Sequence, residues 1–246
     1  MKILIHGSTG RMGKILCDLL TAGYPGLTLA ARVSPDEIAD PANCVYTSLQ
    51  DVACDVDGVI DFSHHTAVGG LMDFCIAKNL PVVVSTTGHT PEEKEIIAAA
   101  SKKIPVFFSA NMSIGVALLA ELAKKAASVF PTANIEIVEK HHNQKLDVPS
   151  GTALLLAHRI QEALTDSVLL VGRHENGKRT TKEIGIHSLR MGNEVGTHEI
   201  IIATGSETVT IKHEAENRSL FANGALAAAA FLGGKEAGLY SMANIV

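Results

Sequence analysis

Short apolar runs alternate with longer amphipathic stretches over residues 1–111. The short runs have the length and the β-branched character of buried parallel strands, and the longer stretches space their apolar residues as helices do. Strands are predicted at residues 2–6, 27–33, 55–63, 81–85 and 104–109, with helices at 14–23, at 67–78 and from Pro91 onward. This regular βαβ alternation predicts a parallel, doubly wound sheet of the Rossmann type.

The pattern changes after Asn111. A long apolar helix is predicted at 113–130, an alternating strand with one buried face at 134–140, and a further helix at 153–164. An apolar run at 167–172 precedes three strands at 184–190, 198–204 and 207–215. Turn signals at Gly192-Asn193 and Gly205-Ser206 separate these strands and favour an antiparallel arrangement. The sequence therefore predicts a second, α+β domain with a mostly antiparallel sheet, which could also form an oligomer interface.

An Ala-rich helix predicted at 222–238 is similar to the packing helices of the first domain. We therefore expect the chain to return to that domain at its end. The expected division is a dinucleotide-binding domain of residues 1–112 and 218–246, and a substrate-binding and oligomerisation domain of residues 113–217.

Composition narrows the class of protein. A hydrophobic content of 46% with 19% charged residues excludes a disordered chain. The formal net charge of −5 gives no reason to expect nucleic acid or a membrane surface as a partner. The four cysteines form no CxxC pair, and no apolar run approaches the roughly 20 residues that span a bilayer. A cytoplasmic globular protein is expected.

The first predicted strand runs directly into the glycine-rich turn GSTGRMG and then into a helix. In such a turn Gly7 would allow the sharp bend, Gly10 would let a pyrophosphate approach the backbone, and Gly13 would permit close helix packing. The spacing is GxxGxxG rather than GxGxxG, and the alternative is a tight βα turn that binds nothing. No GKS or GKT follows, which excludes a phosphate-hydrolysing P-loop. We favour dinucleotide binding.

The end of the second predicted strand bears on the choice of dinucleotide. An NAD-preferring Rossmann fold usually carries an acidic residue there, but this chain has Arg32, followed two positions later by Ser34. The planar guanidinium of an arginine fits a 2′-phosphate. We therefore expect both NADPH and NADH as cofactors with NADPH preferred, the alternative being a solvated arginine at a strand end.

Ligands of doubly wound sheets bind beyond the carboxyl ends of the strands, and several polar segments fall there. They contain Thr86, Thr87, Gly88, Ala110 and Asn111. The adjacent His64 and His65 also follow a strand, but no third ligand is near them in sequence, so no metal site is predicted. They are expected to flank the cofactor or to face water.

The segment EKHHNQKLDVPSGT, residues 139–152, concentrates the chain's candidate chemistry. Lys140, His141, His142 and Lys145 can carry positive charge or move a proton. The residues that follow, Ser150, Gly151 and Thr152, open a helix, where unpaired backbone N–H groups and the helix dipole favour an anion. This combination suits a substrate that bears carboxylates, whereas the alternative is a solvated loop before a capped helix. Asp147 would either orient Lys145 or His141 or merely start the turn before Pro149.

Five motifs together resemble the 4-hydroxy-tetrahydrodipicolinate (dihydrodipicolinate) reductase family of bacterial diaminopimelate and lysine synthesis. They are GSTGRMG, STTG at Ser85, SANMSIG at Ser109, EKHHNQKLDVPSGTA and RSLFANGA at Arg218. The match runs from Gly7 to Ala225 and so covers nearly the whole chain. HHxxKxDxPSGTA is highly specific, whereas the glycine turn alone would fit many reductases.

The resemblance implies a homotetramer whose second domain builds a central barrel, and a cyclic dicarboxylate substrate. It implies that His141 is the catalytic acid/base and Lys145 the proton donor, although the residues alone leave open which of the two gives the proton. The residues it implies for holding the substrate's carboxylates are His142, Lys145, Gly151 and Thr152. Those it implies for the cofactor cleft are Gly7, Arg11, Met12, Thr86, Thr87, Gly88, Ala110, Asn111 and Met112. Arg32 departs from the acidic residue of many members, and His64 from an arginine found in some.

Two other functions are compatible with parts of the sequence. The first is another two-domain NAD(P)-dependent dehydrogenase, such as an aspartate or amino-acid dehydrogenase. The PSGT helix start and the paired histidines disfavour it. The second is a nucleotide sensor without catalysis, which would have no need of His141 and Lys145 together.

Overall fold

The computed structural model describes all residues from 1 to 246. The chain divides into two compact units. The first consists of Met1–Ser113 and Ser219–Ile245, and the second consists of Ile114–Arg218 with Val246.

The first unit is built on a seven-stranded sheet in which every pairing is parallel. Its strands are β1 (Lys2–His6), β2 (Thr28–Val33), β3 (Val45–Tyr46), β4 (Gly58–Asp61), β5 (Val82–Val84), β6 (Pro105–Phe108) and β12 (Gly238–Tyr240). The order along the sheet is β12-β6-β5-β4-β1-β2-β3. Apart from β12 this is the strand order of Rossmann folds, whose order reverses between β1 and β4.

The helices of this unit are α1 (Arg11–Ala22), α2 (Val68–Ala77), α3 (Pro91–Ala100) and α6 (Ser219–Leu232). Short 3₁₀ turns lie at Pro41–Asn43, Leu49–Asp51, His65–Ala67 and Met242–Asn244. Helix α1 packs with α6, and α2 packs with α3. Local sequence sets the helix ends: Thr90 caps α3 in a capping box with Glu93, and Gly23 ends α1 at a φ of 102°.

The second unit contains a five-stranded sheet and two helices. Its elements are α4 (Ile114–Val129), β7 (Asn134–His141), α5 (Gly151–Gln161), β8 (Val168–Val171), β9 (Glu183–Arg190), β10 (Gly196–Ala203) and β11 (Thr208–Ala215). The strand order is β11-β10-β7-β9-β8. Isoleucines from β7, β9 and β10 form the core with the buried faces of α4 and α5.

The predicted fold class is confirmed: a Rossmann-type parallel sheet is followed by an α+β unit with its own sheet. In the second sheet, β7 lies between β9 and β10, so these consecutive strands run in opposite directions without pairing. The antiparallel pairings are β7–β10 and β10–β11, whereas β9 runs parallel to both β7 and β8. The sequence did not predict β3 or β12, and the last helix ends at Leu232 rather than at residue 238.

Candidate active site

The glycine turn after β1 is as tight as its spacing suggests. Gly7 has a φ of 84° and donates its N–H to the carbonyl of Val33 at 2.8 Å. A Cβ atom at Gly7 would lie 2.5 Å from the carbonyl oxygen of Phe62, and one at Gly13 would lie 2.2 Å from that of Gly7. Only glycines allow this approach of α1 to the end of β1.

The N-terminus of α1 suits an anionic ligand. Its N-cap residue, Gly10, is extended and provides no side-chain cap, and the first turn contains no acidic residue. Arg11 is exposed at this end and Met12 is half-buried. Free backbone N–H groups, the helix dipole and a cation therefore coincide where a Rossmann fold binds pyrophosphate, so the residues present fit a dinucleotide.

The end of β2 carries charges of both signs. Arg32 is half-buried, and its Nε lies 3.8 Å from Oε1 of Glu37. The same Glu37 oxygen accepts a hydrogen bond from Ser8 Oγ in the glycine turn at 2.7 Å. Glu37 was not predicted from the sequence because the acidic residue of NAD-preferring folds is expected at the end of the strand, whereas Glu37 lies four residues beyond Val33.

A buried aspartate anchors the loop after β5, which contains predicted cofactor residues. Asp61, at the end of β4, is 2% exposed. Its Oδ2 accepts a hydrogen bond from Thr86 Oγ1 at 2.6 Å, and its Oδ1 accepts one from Ser63 Oγ at 2.6 Å and lies 2.8 Å from His6 Nδ1. Asp61 thus ties the predicted loop after β5 to the end of β1, a role that sequence reasoning did not assign.

The remaining predicted cofactor residues lie in the same unit, in the segments that follow β5 and β6. Thr87, Gly88 and Ala110 are exposed, Asn111 is half-buried and Met112 is buried. Nearby, His65 Nδ1 lies 2.9 Å from both carboxylate oxygens of Glu93, and His64 Nδ1 lies 2.9 Å from Thr66 Oγ1. No cluster of three or more His, Cys, Asp or Glu side chains in the chain is arranged to hold a metal ion.

In the second unit, strand β7 carries the candidate catalytic residues on its buried face. Burial alternates along β7, with Ile135, Ile137, Glu139 and His141 all buried. The first two belong to the core under α5. The last two continue the same face with ionisable groups, because side chains two residues apart on a strand share a face.

The side chain of Glu139 is 0% exposed, yet both of its carboxylate oxygens accept hydrogen bonds. Its Oε2 accepts a hydrogen bond from His141 Nδ1 at 2.5 Å, both its oxygens accept from the Arg190 guanidinium at 2.9 Å, and Oε1 accepts from the Ser150 N–H at 3.2 Å. Burial by itself would raise the pKa of Glu139, but the hydrogen bonds from His141 and Arg190 outweigh it and hold that pKa well below its usual range. Glu139 is therefore a carboxylate.

His141 also packs edge-on against a second buried imidazole. Its ring centroid lies 5.2 Å from that of His198 on β10. Burial, and then the positive potential of His141, lower the pKa of His198 to about 3, so His198 is neutral. Its Nε2 lies 3.1 Å from Ser150 Oγ.

The loop between β7 and α5 presents the predicted cations. Lys145 is mostly buried, and its Nζ forms an ion pair with Asp147 Oδ1 at 2.9 Å. Burial opposes ionisation of Asp147, but the hydrogen bond from Lys145 lowers its pKa. Asp147 therefore orients Lys145, one of the roles the sequence left open. His142 is half-buried and donates its backbone N–H to the carbonyl of Glu194 at 2.8 Å.

The helix start that follows is open on one side. Ser150 is the N-cap of α5, and its Oγ accepts the N–H of Ala153 at 3.1 Å. Gly151 is exposed with no atom within 4 Å of the position of a Cβ, and Thr152 is half-buried. The exposed Gly151 N–H faces the Asp147 carboxylate, which shows that a carboxylate can reach the first turn of α5.

Every predicted site residue of the second unit therefore belongs to β7, to the loop after it, or to the first turn of α5. Three residues that contact this group were not predicted as site residues from the sequence: Glu139, Arg190 and His198. Glu139 could have been found, since it falls on the buried face of an alternating strand two residues before His141. Arg190 and His198 come from β9 and β10, whose pairing with β7 no local pattern indicates.

The first unit is of the Rossmann type and has a glycine turn that suits an anion, and the α+β unit carries a histidine and a lysine. This organisation is found in pyridine nucleotide-dependent oxidoreductases. Comparisons with known proteins define the particular family. Family models described as the N-terminus and the C-terminus of dihydrodipicolinate reductase match residues 1–112 and 115–246.

Individual relatives are similar to this chain over its full length. A 4-hydroxy-tetrahydrodipicolinate reductase of Caldanaerobacter subterraneus subsp. tengcongensis is 43% identical over 100% of this chain and 98% of its own. The dipicolinate-bound dihydrodipicolinate reductase from Paenisporosarcina sp. TG-14 superposes with a TM-score of 0.83 at 25% identity, covering 100% of this chain and 99% of that one. An aspartate dehydrogenase from Thermotoga maritima has a TM-score of 0.53 at 15% identity over 96% of this chain and 98% of its own, and shares the fold alone.

The chain belongs to the dihydrodipicolinate reductase family. It is an oxidoreductase, and its N-terminal unit is the part that binds a pyridine nucleotide in this family. None of its helices has the length and apolar character needed to cross a membrane.

Proposed function

We propose that the chain reduces 4-hydroxy-tetrahydrodipicolinate to tetrahydrodipicolinate with a pyridine nucleotide, as a step of diaminopimelate and lysine synthesis. The names of its full-length relatives support this reaction. The observation that carries the proposal is the β7–α5 segment, where a histidine, a lysine and an open helix N-terminus lie within one short stretch. These groups suit a cyclic dicarboxylate that undergoes reduction.

In the proposed reaction, the substrate loses its hydroxyl group and a neighbouring ring hydrogen as water, and the unsaturated ring takes up a hydride and a proton. The nicotinamide, when bound, supplies the hydride to the ring. His141 and Lys145 form the site that supplies the proton, and position at the receiving carbon matters more than acidity in such a step. The carboxylates would be bound by His142, Lys145, Ser150, Gly151 and Thr152, through charge-assisted hydrogen bonds.

For the cofactor, we propose that both NADPH and NADH serve and that NADPH is preferred. The residues proposed to hold it are Gly7, Gly10, Arg11, Met12, Gly13, Arg32, Thr86, Thr87, Gly88, Ala110, Asn111 and Met112. Arg32 would pair with the 2′-phosphate of NADPH. Glu37, 3.8 Å from Arg32, competes for the guanidinium and could accept a ribose hydroxyl, which would keep NADH usable.

The two units would then have different roles. The first, 1–112 with 218–246, would bind the dinucleotide, and the second, 113–217, would bind the substrate and form the subunit contacts of a homotetramer. We place the enzyme in the cytoplasm, where its nucleotide cofactor is available.

The test is an initial-rate assay with the purified chain, in which the unstable substrate is generated by the synthase that precedes this step. We expect oxidation of NADPH and, more slowly, of NADH, in each case only when the synthase is present. Aspartate and 2-oxo acids with ammonia serve as control substrates for an amino-acid dehydrogenase. Tight NADPH binding without synthase-dependent oxidation would contradict the reductase function and favour a nucleotide sensor.

A further inference from the structure

Glu139 is the most completely buried ionised group of the second unit, and none of the steps proposed above uses it. A carboxylate with no exposure to water is costly unless charges and donors surround it. Here the Arg190 guanidinium supplies a bidentate contact, and the first turn of α5 supplies the N–H of Ser150. The remaining contact is Nδ1 of His141, at 2.5 Å.

This arrangement fixes which nitrogen of His141 carries a proton. An ionised carboxylate only accepts hydrogen bonds, so the nitrogen facing it must be Nδ1–H. Nε2 then carries the lone pair when the ring is neutral and the exchangeable proton when the ring is charged. It makes no hydrogen bond within the protein. Arg190 is also the register partner of His141 between β7 and β9, so the clamp comes from the strand pairing itself.

We propose that Glu139, clamped by Arg190 and the Ser150 N–H, is a positioning residue that holds His141 as its Nδ1–H tautomer and turns Nε2 toward the reacting substrate. The inference deepens the proposed function and rests on it, since it assigns the proton-transfer atom of that site. Glu139 acts through His141 and touches neither substrate nor cofactor.

The surroundings of Nε2 fit this role. A Cβ on Gly196 of β10 would lie 3.0 Å from Nε2, so the absence of a side chain there keeps that nitrogen uncovered. The groups beside His141 are Glu139 on its own strand, its register partner Arg190 on β9 and neutral His198 on β10. Of these, only Glu139 accepts a hydrogen bond from the ring.

The same strand offers a matched control. Glu136 accepts a hydrogen bond from Arg179 Nε at 2.9 Å and lies 2.8 Å from His187 Nε2, so it too joins an arginine and a histidine. It lies three residues earlier, on the opposite face of β7, and is partly exposed. Glu136→Gln therefore removes an equivalent carboxylate from the same strand without touching His141.

The direct test is the ¹⁵N spectrum of histidine-labelled protein at a pH of about 8.5, where an unperturbed imidazole is neutral. Comparison with His141→Gln assigns the ring among the chain's 11 histidines. We expect protonated Nδ1 in the wild type and in Glu136→Gln, and a mixed or inverted tautomer in Glu139→Gln. An unprotonated Nδ1 in the wild type would overturn the proposal whether or not the chain reduces the proposed substrate.

Kinetics give the second readout. We expect Glu139→Gln to lower kcat by about 10²- to 10⁴-fold with a smaller change in KM, as when a catalytic histidine loses its carboxylate partner. Glu139→Asp should recover part of kcat, because it keeps the charge, and Glu136→Gln should keep wild-type kcat. If Glu139→Gln does not fold, Arg190→Lys takes its place, since it keeps the charge and loses the bidentate clamp. A wild-type kcat in folded Glu139→Gln, or in folded Arg190→Lys where that variant replaces it, would overturn the proposal.

Discussion

The imidazole of His198 is a buried base held in its neutral form. It is 4% exposed, and burial lowers its pKa to about 3. An unfolded chain would titrate the same group near pH 6.5. Because the folded pKa lies below the unfolded one, the unfolded state takes up the proton first as the pH falls. The stability that neutral His198 contributes is complete above about pH 6.5 and declines toward pH 3.

The variant His198→Gln should remove this part of the pH dependence. Between pH 7 and pH 5 the wild type should lose about 2 kcal/mol more unfolding free energy than the variant, as the pKa difference requires. Urea titrations at the two pH values measure it. His158→Gln, at an exposed position of α5, is the control that should behave like the wild type. Equal pH dependence in His198→Gln and wild type would show that His198 is not held neutral.

Arg32 is the residue whose replacement should change cofactor choice. If its guanidinium pairs with the 2′-phosphate, Arg32→Ala loses a charged hydrogen bond worth about 1.5–3 kcal/mol, so the ratio of kcat/KM for NADPH to that for NADH should fall by about tenfold to a hundredfold. Glu37→Gln should move the ratio the other way, because it frees Arg32 from its 3.8 Å ion pair. An unchanged ratio in both variants would assign cofactor choice to other loops.

At the scale of elements, the glycine turn joins β1 and α1 so closely that a methyl group has no room. Gly13→Ala would place a Cβ 2.2 Å from the carbonyl oxygen of Gly7 and 2.7 Å from the Cα of Ser8, both backbone atoms. We expect this change to cost about 1–3 kcal/mol of unfolding free energy and to weaken nucleotide binding.

The control for Gly13→Ala is Gly70→Ala in α2. Its Cβ would meet no atom within 4 Å, and the position is exposed. Alanine there should stabilise the helix by about 0.5–1 kcal/mol. Denaturation of the two variants and the wild type measures both changes in unfolding free energy, the expected loss in Gly13→Ala and the expected gain in Gly70→Ala. A Gly13→Ala protein as stable as the wild type would mean that α1 can shift away from β1 at little cost.

Elements with strong periodicity could be read from the sequence, whereas short or non-local ones could not. The strands β1, β4 and β5 each contain a short continuous apolar run, and Pro91 marks the start of α3. Strand β3 has only two residues and β12 three, which is too few for a period. The insertion of β7 between β9 and β10 is a matter of long-range pairing, and it is the reason that Arg190 could not be placed beside Glu139 in advance.

At the scale of the whole molecule, each unit carries one half of the proposed chemistry. Candidate cofactor residues could be chosen from the sequence because nucleotide binding uses local motifs at strand ends, such as the turn after β1. The charged loop of the second unit was also visible, as a continuous segment. Three buried polar residues were not predicted: Asp61 in the first unit, and Glu139 and His198 in the second. Each has a hydrogen-bond partner on a different element of the chain, namely Thr86, Arg190 and Ser150.

We predict that the chain sediments as a tetramer. The helices α4 and α5 cover one face of the second sheet, where the isoleucines of β7, β9 and β10 are buried. On the other face, half-buried positions of β7 and β10 such as Val138 and Ile201 alternate with them. Analytical ultracentrifugation at micromolar concentration should give one species with four times the mass of the chain. A monomer at that concentration would contradict the proposed role of residues 113–217 in subunit contacts.

The measurement that most directly tests the central claim compares Lys145→Ala with Lys124→Ala in the synthase-coupled assay, with the Kd for NADPH measured on the same samples. Both lysines pair with a carboxylate in the second unit, Lys145 with Asp147 at 2.9 Å and Lys124 with Glu162 at 2.7 Å. If the loop after β7 binds and protonates the substrate, Lys145→Ala should lose activity by orders of magnitude at an unchanged Kd, and Lys124→Ala should retain it. Full activity in Lys145→Ala would contradict the assignment of proton transfer and substrate binding to this loop.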